Sequence, residues 1–213
     1  MRRLPPIPTL LVALAVAAML ALGVWQLQRR HEKNAALALY AANRMQPTIT
    51  LEGGDRDPAL LFRHARTACL SVTGWARQGG RGTRGTKGWR QIATCRTHIG
   101  AQLAVDMGVT TNVGFQPHWP GGMVSGTITQ LPDHRPLIAA MLDPAPRALM
   151  LVSDRAAPGL EPSAPPDLSS VPNNHLAYAV QWFLFAGVAI IIYVLALRLR
   201  ARAATQPSPS AGG

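Results

Sequence analysis

The sequence lacks the local motifs that mark common hydrolases and zinc enzymes. No Gly-x-Ser-x-Gly elbow occurs in its 213 residues, so nothing indicates a serine hydrolase. Histidine is sparse and scattered: none of the first five, His31, His64, His98, His118 and His134, forms an HxxxH or HExxH spacing. We therefore expect a protein that is not an enzyme.

Charge is absent from two long windows, residues 9–27 and 176–197. Each is about as long as a helix needs to cross a hydrocarbon core of ~30 Å, so we predict two transmembrane helices. The first runs on into Trp25, Gln26 and Arg29 without a small-x-small cleavage site, which favours an uncleaved anchor over a signal peptide. The fold class expected is a membrane protein in which two transmembrane α-helices flank a β-rich (α+β) periplasmic domain.

Acidic residues are half as common as basic ones, ten against 21, giving a formal net charge of +11. Three arginines directly follow the second span, whereas no Lys or Arg lies between Arg155 and its start. The positive-inside rule then makes residues 1–8 and the tail 198–213 cytoplasmic and the middle of the chain periplasmic, in a bacterial inner membrane. In that compartment we expect no nucleic acid as partner. The net positive charge is better explained by the positive-inside rule and by attraction to anionic membrane lipid.

Between the spans the character of the chain changes twice. The first helix is expected to continue to about residue 44, before Pro47, because this stretch is rich in helix formers. Residues 45–156 form the predicted β-rich domain, and residues 157–175, dense in Pro, are predicted to be an extended tether.

Short β-branched runs separated by turn residues predict a compact, largely antiparallel domain with one short helix, Leu137–Leu142. The predicted strands are Thr48–Leu51, Ala68–Trp75, Trp89–Thr97, Gln102–Val109, Met123–Leu131 and Ala148–Ser153.

Only two cysteines occur, Cys69 and Cys95, and both fall in the exported region. An oxidising compartment permits a disulfide if their strands are neighbours; two buried thiols remain the alternative. Together with the histidines and with Met107 and Met123, the same residues are candidate ligands for a soft copper site, although their spacing does not favour it.

Residues 77–90, RQGGRGTRGTKGWR, hold five basic residues and no acid. Their glycines spell GxGxxG, but no helix pattern follows, so a dinucleotide site is not indicated. We interpret the segment as a solvated hairpin loop, with an acidic partner or lipid as a further option.

The start of the second span is unusually polar for a membrane helix. In a helix, His175, Tyr178, Ala179, Trp182 and Ala186 share one face. An aromatic belt with an Asn cap explains the aromatic residues. It explains the histidine less well, because polar groups at the edge of hydrocarbon need partners.

The end of the first span concentrates similar groups, Trp25, Gln26 and Arg29, at the same exported side. Ala13, Ala17 and Ala21, spaced by four, predict a small-residue face for close packing on the second span. A neutral imidazole between packed helices is a common axial ligand for haem iron, so the boundary is a candidate haem site.

Two motifs resemble those of a known family. GVWQLQRRHEKNAAL, residues 23–37, is similar to the Gly-x-Trp-Gln-Leu-x-Arg pattern of the Surfeit locus protein 1 (Shy) family. VPNNHLAYAVQWFLF, residues 171–185, resembles that family's Pro-Asn-Asn-His-Leu-x-Tyr-Ala-x-x-Trp-Phe entry to the second span. The resemblance implies an assembly factor for haem-copper cytochrome c oxidase.

By the same resemblance, the cofactor is haem a and its iron ligand is His175. Trp182 and Tyr178 are then candidate pocket walls, Arg29 or Arg30 a propionate partner, and Trp25 and Gln26 the matching first-span motif. Expected partners are the oxidase catalytic subunit and the enzyme that makes haem a. The alternatives are a cofactor-free scaffold docking on oxidase subunits and, less favoured, a copper-delivery protein.

One segment departs from the family pattern. Where family members commonly carry Val-Asn-Arg-Gly-Trp-Val, this chain has VDMGVT, residues 105–110. The usual Arg and Trp are missing, which predicts altered partner recognition at this position.

Overall fold

A computed structural model of the chain describes residues 5–132, 135–142 and 146–203. The chain divides into two compact units, one built from Met1–Ala35 with Pro172–Gly213 and the other from Ala36–Val171. The helices of the described residues are α1 (Pro6–Asn43), α2 (Leu137–Leu142) and α3 (His175–Ala203), with short 3-10 turns at Pro58–Leu60 and Leu168–Ser170.

The two long helices, α1 and α3, are long and apolar enough to cross a membrane. Both are rich in Ala and Leu, which form helices readily, and α1 ends before Pro47, which has no backbone N–H to continue it. At the start of α3, the Tyr178 N–H donates to the Asn174 carbonyl. The protein is thus a two-span membrane protein with a central sheet domain, as predicted.

The second unit contains one mixed sheet of seven strands in the order β1-β2-β6-β7-β5-β4-β3. Neighbouring strands are antiparallel except for the pairs β1·β2 and β5·β7, which are parallel. The strands are β1 (Ile49–Thr50), β2 (His64–Cys69), β3 (Ser71–Arg81), β4 (Lys87–Arg96), β5 (Gln102–Thr110), β6 (Gly122–Gln130) and β7 (Leu149–Ser153).

The single strand predicted at Ala68–Trp75 is wrong, because the strand is interrupted at Leu70. The Leu70 N–H donates to the Arg96 carbonyl, so the chain leaves β2 and pairs with β4 from there on. Strands β2 and β3 are one residue apart in sequence, yet β3 is an outer strand and four strands separate it from β2. The sheet therefore curls so that its two sides approach each other.

The basic segment is also more ordered than predicted. Strand β3 extends to Arg81 and β4 begins at Lys87, so only residues 82–86 form the loop. The prediction of a hairpin is correct, but most of its basic residues lie on strands.

Cys69 and Cys95 form a disulfide, with Cα atoms 5.2 Å apart. Their strands, β2 and β4, are not neighbours in the sheet. The expectation that this disulfide requires neighbouring strands is therefore wrong. The curl of the sheet at Leu70 brings the two positions together. Both cysteines are buried in the main apolar core.

The segment after residue 156 packs on the sheet and is not a free tether. Strand β5 pairs with β7 only over Ala104–Asp106, which leaves the backbone of its last residues unpaired on that side. The Met107 carbonyl accepts from Ala157 N, and Val109 exchanges two hydrogen bonds with Glu161. Buried backbone groups must be hydrogen-bonded, and this segment meets that requirement.

The segment that departs from the family pattern lies inside the domain. Asp106, Met107 and Val109 are buried on β5, so they offer no surface for partner recognition. Asp106 Oδ1 accepts from Ser163 Oγ (2.7 Å) and from Gly108 N (3.1 Å), and Arg90 Nε lies 3.5 Å from its other oxygen. Burial raises the pKa of the Asp106 carboxyl above its usual value, and these three neighbours only partly oppose that rise.

The disulfide should stabilise the domain mainly by lowering the conformational entropy of the unfolded chain. For its sequence separation of 26 residues, loop-closure entropy predicts a contribution of about 3.5 kcal/mol. We expect dithiothreitol to lower the urea midpoint of the full chain in detergent, followed by circular dichroism. The double variant Cys69→Ala, Cys95→Ala should show a low midpoint that dithiothreitol does not change. An equal midpoint for reduced and oxidised protein would contradict this account.

Asp106 should make the stability of the domain fall as pH rises. A carboxyl whose folded-state pKa is raised stabilises the fold when protonated, and that contribution is lost as pH rises through the folded pKa. Asp106→Asn keeps an oxygen for Ser163 and Gly108 without the buried charge. At pH values above the folded-state pKa of Asp106, the variant should therefore have a higher urea midpoint than the parent protein. At acid pH its midpoint should change little. As a control, Asp55→Asn should show no such dependence. A midpoint lowered at every pH would mean that the Arg90 pair outweighs the cost of burial.

Candidate functional site

The face of α1 that packs on α3 is a heptad stripe. Its residues are wholly or partly buried and alternate three and four apart: Thr9, Val12, Val16, Met19, Gly23, Gln26 and Arg30. This spacing is that of two helices wound around each other. The predicted face of Ala13, Ala17 and Ala21 is wrong, since all three are exposed.

The facing side of α3 supplies the small residues. Ala179 and Ala186 are each 1% exposed, which marks where the two helices approach most closely. On α1, Gly23 is buried, and a Cβ there would lie 2.5 Å from a ring carbon of Phe183. Small residues that allow close approach are typical of packed membrane helices, where van der Waals contact drives association.

Polar contacts join the helices at both ends of this stripe. Thr9 and Tyr193 share a hydrogen bond between their hydroxyls at one end. At the other end, His175 Nδ1 lies 2.7 Å from Gln26 Oε1. Just beyond it, Asn173 Nδ2 donates to Asn34 Oδ1 over 2.8 Å.

The contact with Gln26 determines which nitrogen of His175 is free. An amide oxygen only accepts, so Nδ1 is the donor in this contact, and Nε2 is the ring nitrogen that Gln26 does not contact. Metal-binding histidines commonly have this arrangement, in which a hydrogen bond to one ring nitrogen orients the other toward the metal. His175 is half-buried, so the ring is held by the helix pair without being enclosed.

The other predicted site residues divide into two groups. Trp182 is half-buried on the same face of α3 as His175, and its ring packs edge-on against Phe185 with centroids 6.2 Å apart. Trp25 and Tyr178, in contrast, are 50% and 52% exposed. Tyr178, one turn after His175 on α3, is thus more exposed than Trp182.

Arg29 is exposed and forms an ion pair with Glu32, one helical turn away on α1. Its guanidinium already has a carboxylate partner, which weakens its candidacy for binding a second one. Arg30 is partly buried at the end of the heptad stripe. Of the two arginines, Arg30 is the one on the α1 face that also carries Gln26, four residues before it.

Sequence reasoning missed two features of the site. Gly23 was quoted only as part of a motif, although its place in the heptad with Gln26 marks it as a contact position. The sequence predicted only that an asparagine, Asn173 or Asn174, caps the second helix, and it did not predict that the Asn173 side chain bonds to Asn34, beyond the predicted end of the first span. The signal available was the continuation of the helix past the membrane, which carries Asn34 to the level of the Pro-Asn-Asn segment.

The copper alternative loses its two thiol ligands, because Cys69 and Cys95 are bonded to each other. In the part of the chain that the structure describes, no group of three or more His, Cys, Asp or Glu residues is placed to hold a metal ion.

A family model described as the SURF1 family matches residues 13–187. The matched region includes α1 from its third turn, the whole sheet domain and the first half of α3. No curated protein matches the chain significantly.

Gly23 provides a test of the close helix contact. In Gly23→Val, the new side chain must displace the Phe183 ring, so we expect lower thermal stability of the full chain in detergent. Gly187→Ala is the matched control, because a Cβ at that position meets no atom within 4 Å. Equal melting temperatures for Gly23→Val and the parent protein would show that the contact is loose.

Proposed function

Since the chain belongs to the SURF1 family, which acts in cytochrome c oxidase assembly, we propose that its helix pair holds haem a through His175 for the oxidase. The observation that carries the proposal is the hydrogen bond from His175 Nδ1 to Gln26, which leaves Nε2 available as an axial ligand. The family is one of assembly factors, and the role needs binding and release without catalytic turnover.

The residues present fit one edge of a haem. His175 would supply the nitrogen ligand, and Gln26 would fix the tautomer and orientation of its ring. Trp182 offers an apolar ring surface on the same helix face, and Arg30 offers a cation for a propionate. When bound, haem a would supply the iron macrocycle that the catalytic subunit requires.

Gln26 acts in this proposal as a positioning residue. In a hydrocarbon environment an imidazole N–H without an acceptor is costly, so the amide stabilises one ring orientation. Asn34 and Asn173 add a second contact between the helices close by, which supports the same geometry.

The proposal includes a location and an orientation. Arg198, Arg200 and Arg202 at the end of α3 favour a cytoplasmic C-terminus in a bacterial inner membrane. The sheet domain then lies in the periplasm, where a disulfide such as Cys69–Cys95 is stable. Expected partners are the oxidase catalytic subunit and the enzyme that makes haem a.

The decisive experiment is the visible spectrum of the full chain purified from membranes that make haem a. We expect a Soret band that is lost in His175→Ala and kept in His31→Ala, since His31 is an exposed histidine on α1. A coloured His175→Ala protein would show that another residue is the ligand. A colourless parent protein that still co-purifies with oxidase would favour the scaffold alternative.

Gln26 variants separate positioning from folding. Gln26→Leu removes the acceptor, and loss of such a hydrogen bond typically weakens metal binding by about 10- to 100-fold. Gln26→Glu retains an acceptor oxygen and should recover much of the haem content. Equal haem affinity in the Leu variant, measured by titration with the purified protein, would argue against the positioning role.

A further inference from the structure

Residues 77–90, at the loop end of the β3–β4 hairpin, carry five basic residues, and only two of them have an acidic partner. Arg84 pairs with Glu161, and Arg90 lies beside Asp106. Among the described residues, no carboxylate lies within ion-pair distance of the remaining three, Arg77, Arg81 and Lys87. The domain therefore presents uncompensated positive charge at this hairpin.

The strand register places these cations on one face. Arg81 is paired directly with Lys87, Gly79 with Trp89, and Arg77 with Gln91. Residues directly opposite in an antiparallel pair point to the same side, as do residues two apart on one strand. We name the exposed members of this set, Arg77, Arg81, Lys87 and Trp89, the basic hairpin face.

Two features of this face suggest a ligand. Like charges directly opposite each other in a sheet are destabilising, and Arg81 and Lys87 are such a pair. An anion between them would remove the repulsion. Trp89 is 43% exposed. Its cross-strand partner is Gly79, which has no side chain, and a Cβ added to Gly79 would meet no atom within 4 Å. One side of the indole is therefore left uncovered.

Arg77 is held in place at the inner end of the face. Its guanidinium donates to the Val113 carbonyl, which leaves further N–H groups free to bind an anion. The face thus combines one tethered guanidinium and two further exposed cations with an uncovered aromatic ring.

We propose that the basic hairpin face binds the anionic phospholipid headgroups of the bilayer that the two helices span. Tryptophan favours the membrane interface, because its ring is apolar and its N–H is polar. Lys and Arg beside it add electrostatic attraction to acidic lipids. The sheet domain is joined to a membrane helix at each end, at Ala36 and at Val171, so both of its ends are tethered to the bilayer.

An acidic protein surface would also attract the three cations, but it would not explain an exposed tryptophan at their centre. Headgroup binding would give the domain a preferred orientation on the bilayer. That orientation does not depend on haem, so the proposal stands or falls separately from the role of His175.

The test uses the full chain in nanodiscs with a single reporter. Thr83 lies in the exposed loop of the hairpin, and Thr83→Cys can be labelled with an environment-sensitive dye because both native cysteines are in the disulfide. We expect the emission to shift to shorter wavelength when phosphatidylglycerol is added to phosphatidylcholine discs. Salt at about 1 M, where the Debye length is ~3 Å, should reverse the shift.

Arg81→Glu with Lys87→Glu should abolish the lipid-dependent shift. The control Arg66→Glu with Arg96→Glu makes the same change in net charge at exposed positions away from the hairpin loop and should retain the shift. No shift in the parent protein, or an equal shift in both double variants, would overturn the proposal. A shift caused only by added oxidase would assign the face to an acidic protein instead.

Discussion

A polar side chain at the edge of hydrocarbon needs a partner within the protein, and the helical unit of this molecule is organised by that requirement. His175 and Gln26 satisfy each other across the two helices, and Thr9 and Tyr193 do the same at the far end. Between these points three small residues, Gly23 on α1 and Ala179 and Ala186 on α3, are buried in the contact, so the helices are close enough for the polar pairs to meet. The free Nε2 of His175 is a direct consequence of this pairing.

The sheet domain follows a comparable rule for its backbone. The strand is interrupted at Leu70, and the sheet curls there. The disulfide then joins two strands, β2 and β4, that are distant in the sheet order. The end of β5 would expose unpaired backbone groups, and the Pro-rich segment that follows β7 covers them. Asp106, buried beneath that segment, accepts a hydrogen bond from Ser163 within it. The departure from the family pattern at this point is thus a feature of the interior.

Much of the architecture could be predicted because it depends on local chemistry. Two uncharged windows predicted α1 and α3, and alternating β-branched runs predicted most of the strands near their observed positions. The errors share one cause: the local sequence of a segment does not specify which other part of the chain it packs against. Ala13, Ala17 and Ala21 are small, but small size does not say which side of a helix faces its neighbour. Pro-rich composition at residues 157–175 likewise did not reveal an unpaired edge on β5.

By itself, the sequence determined the two apolar spans and the family, and it singled out His175 and Gln26 as candidate site residues, since these follow from charge, length and two specific motifs. Only the tertiary structure decided that the histidine and the glutamine meet, that Tyr178, Trp25 and Arg29 face outward, and that the two cysteines are bonded. The physical reason is that pairing across helices and strands depends on which faces pack together. That choice is made by the whole chain, through burial and the satisfaction of polar groups, and not by any short stretch of it.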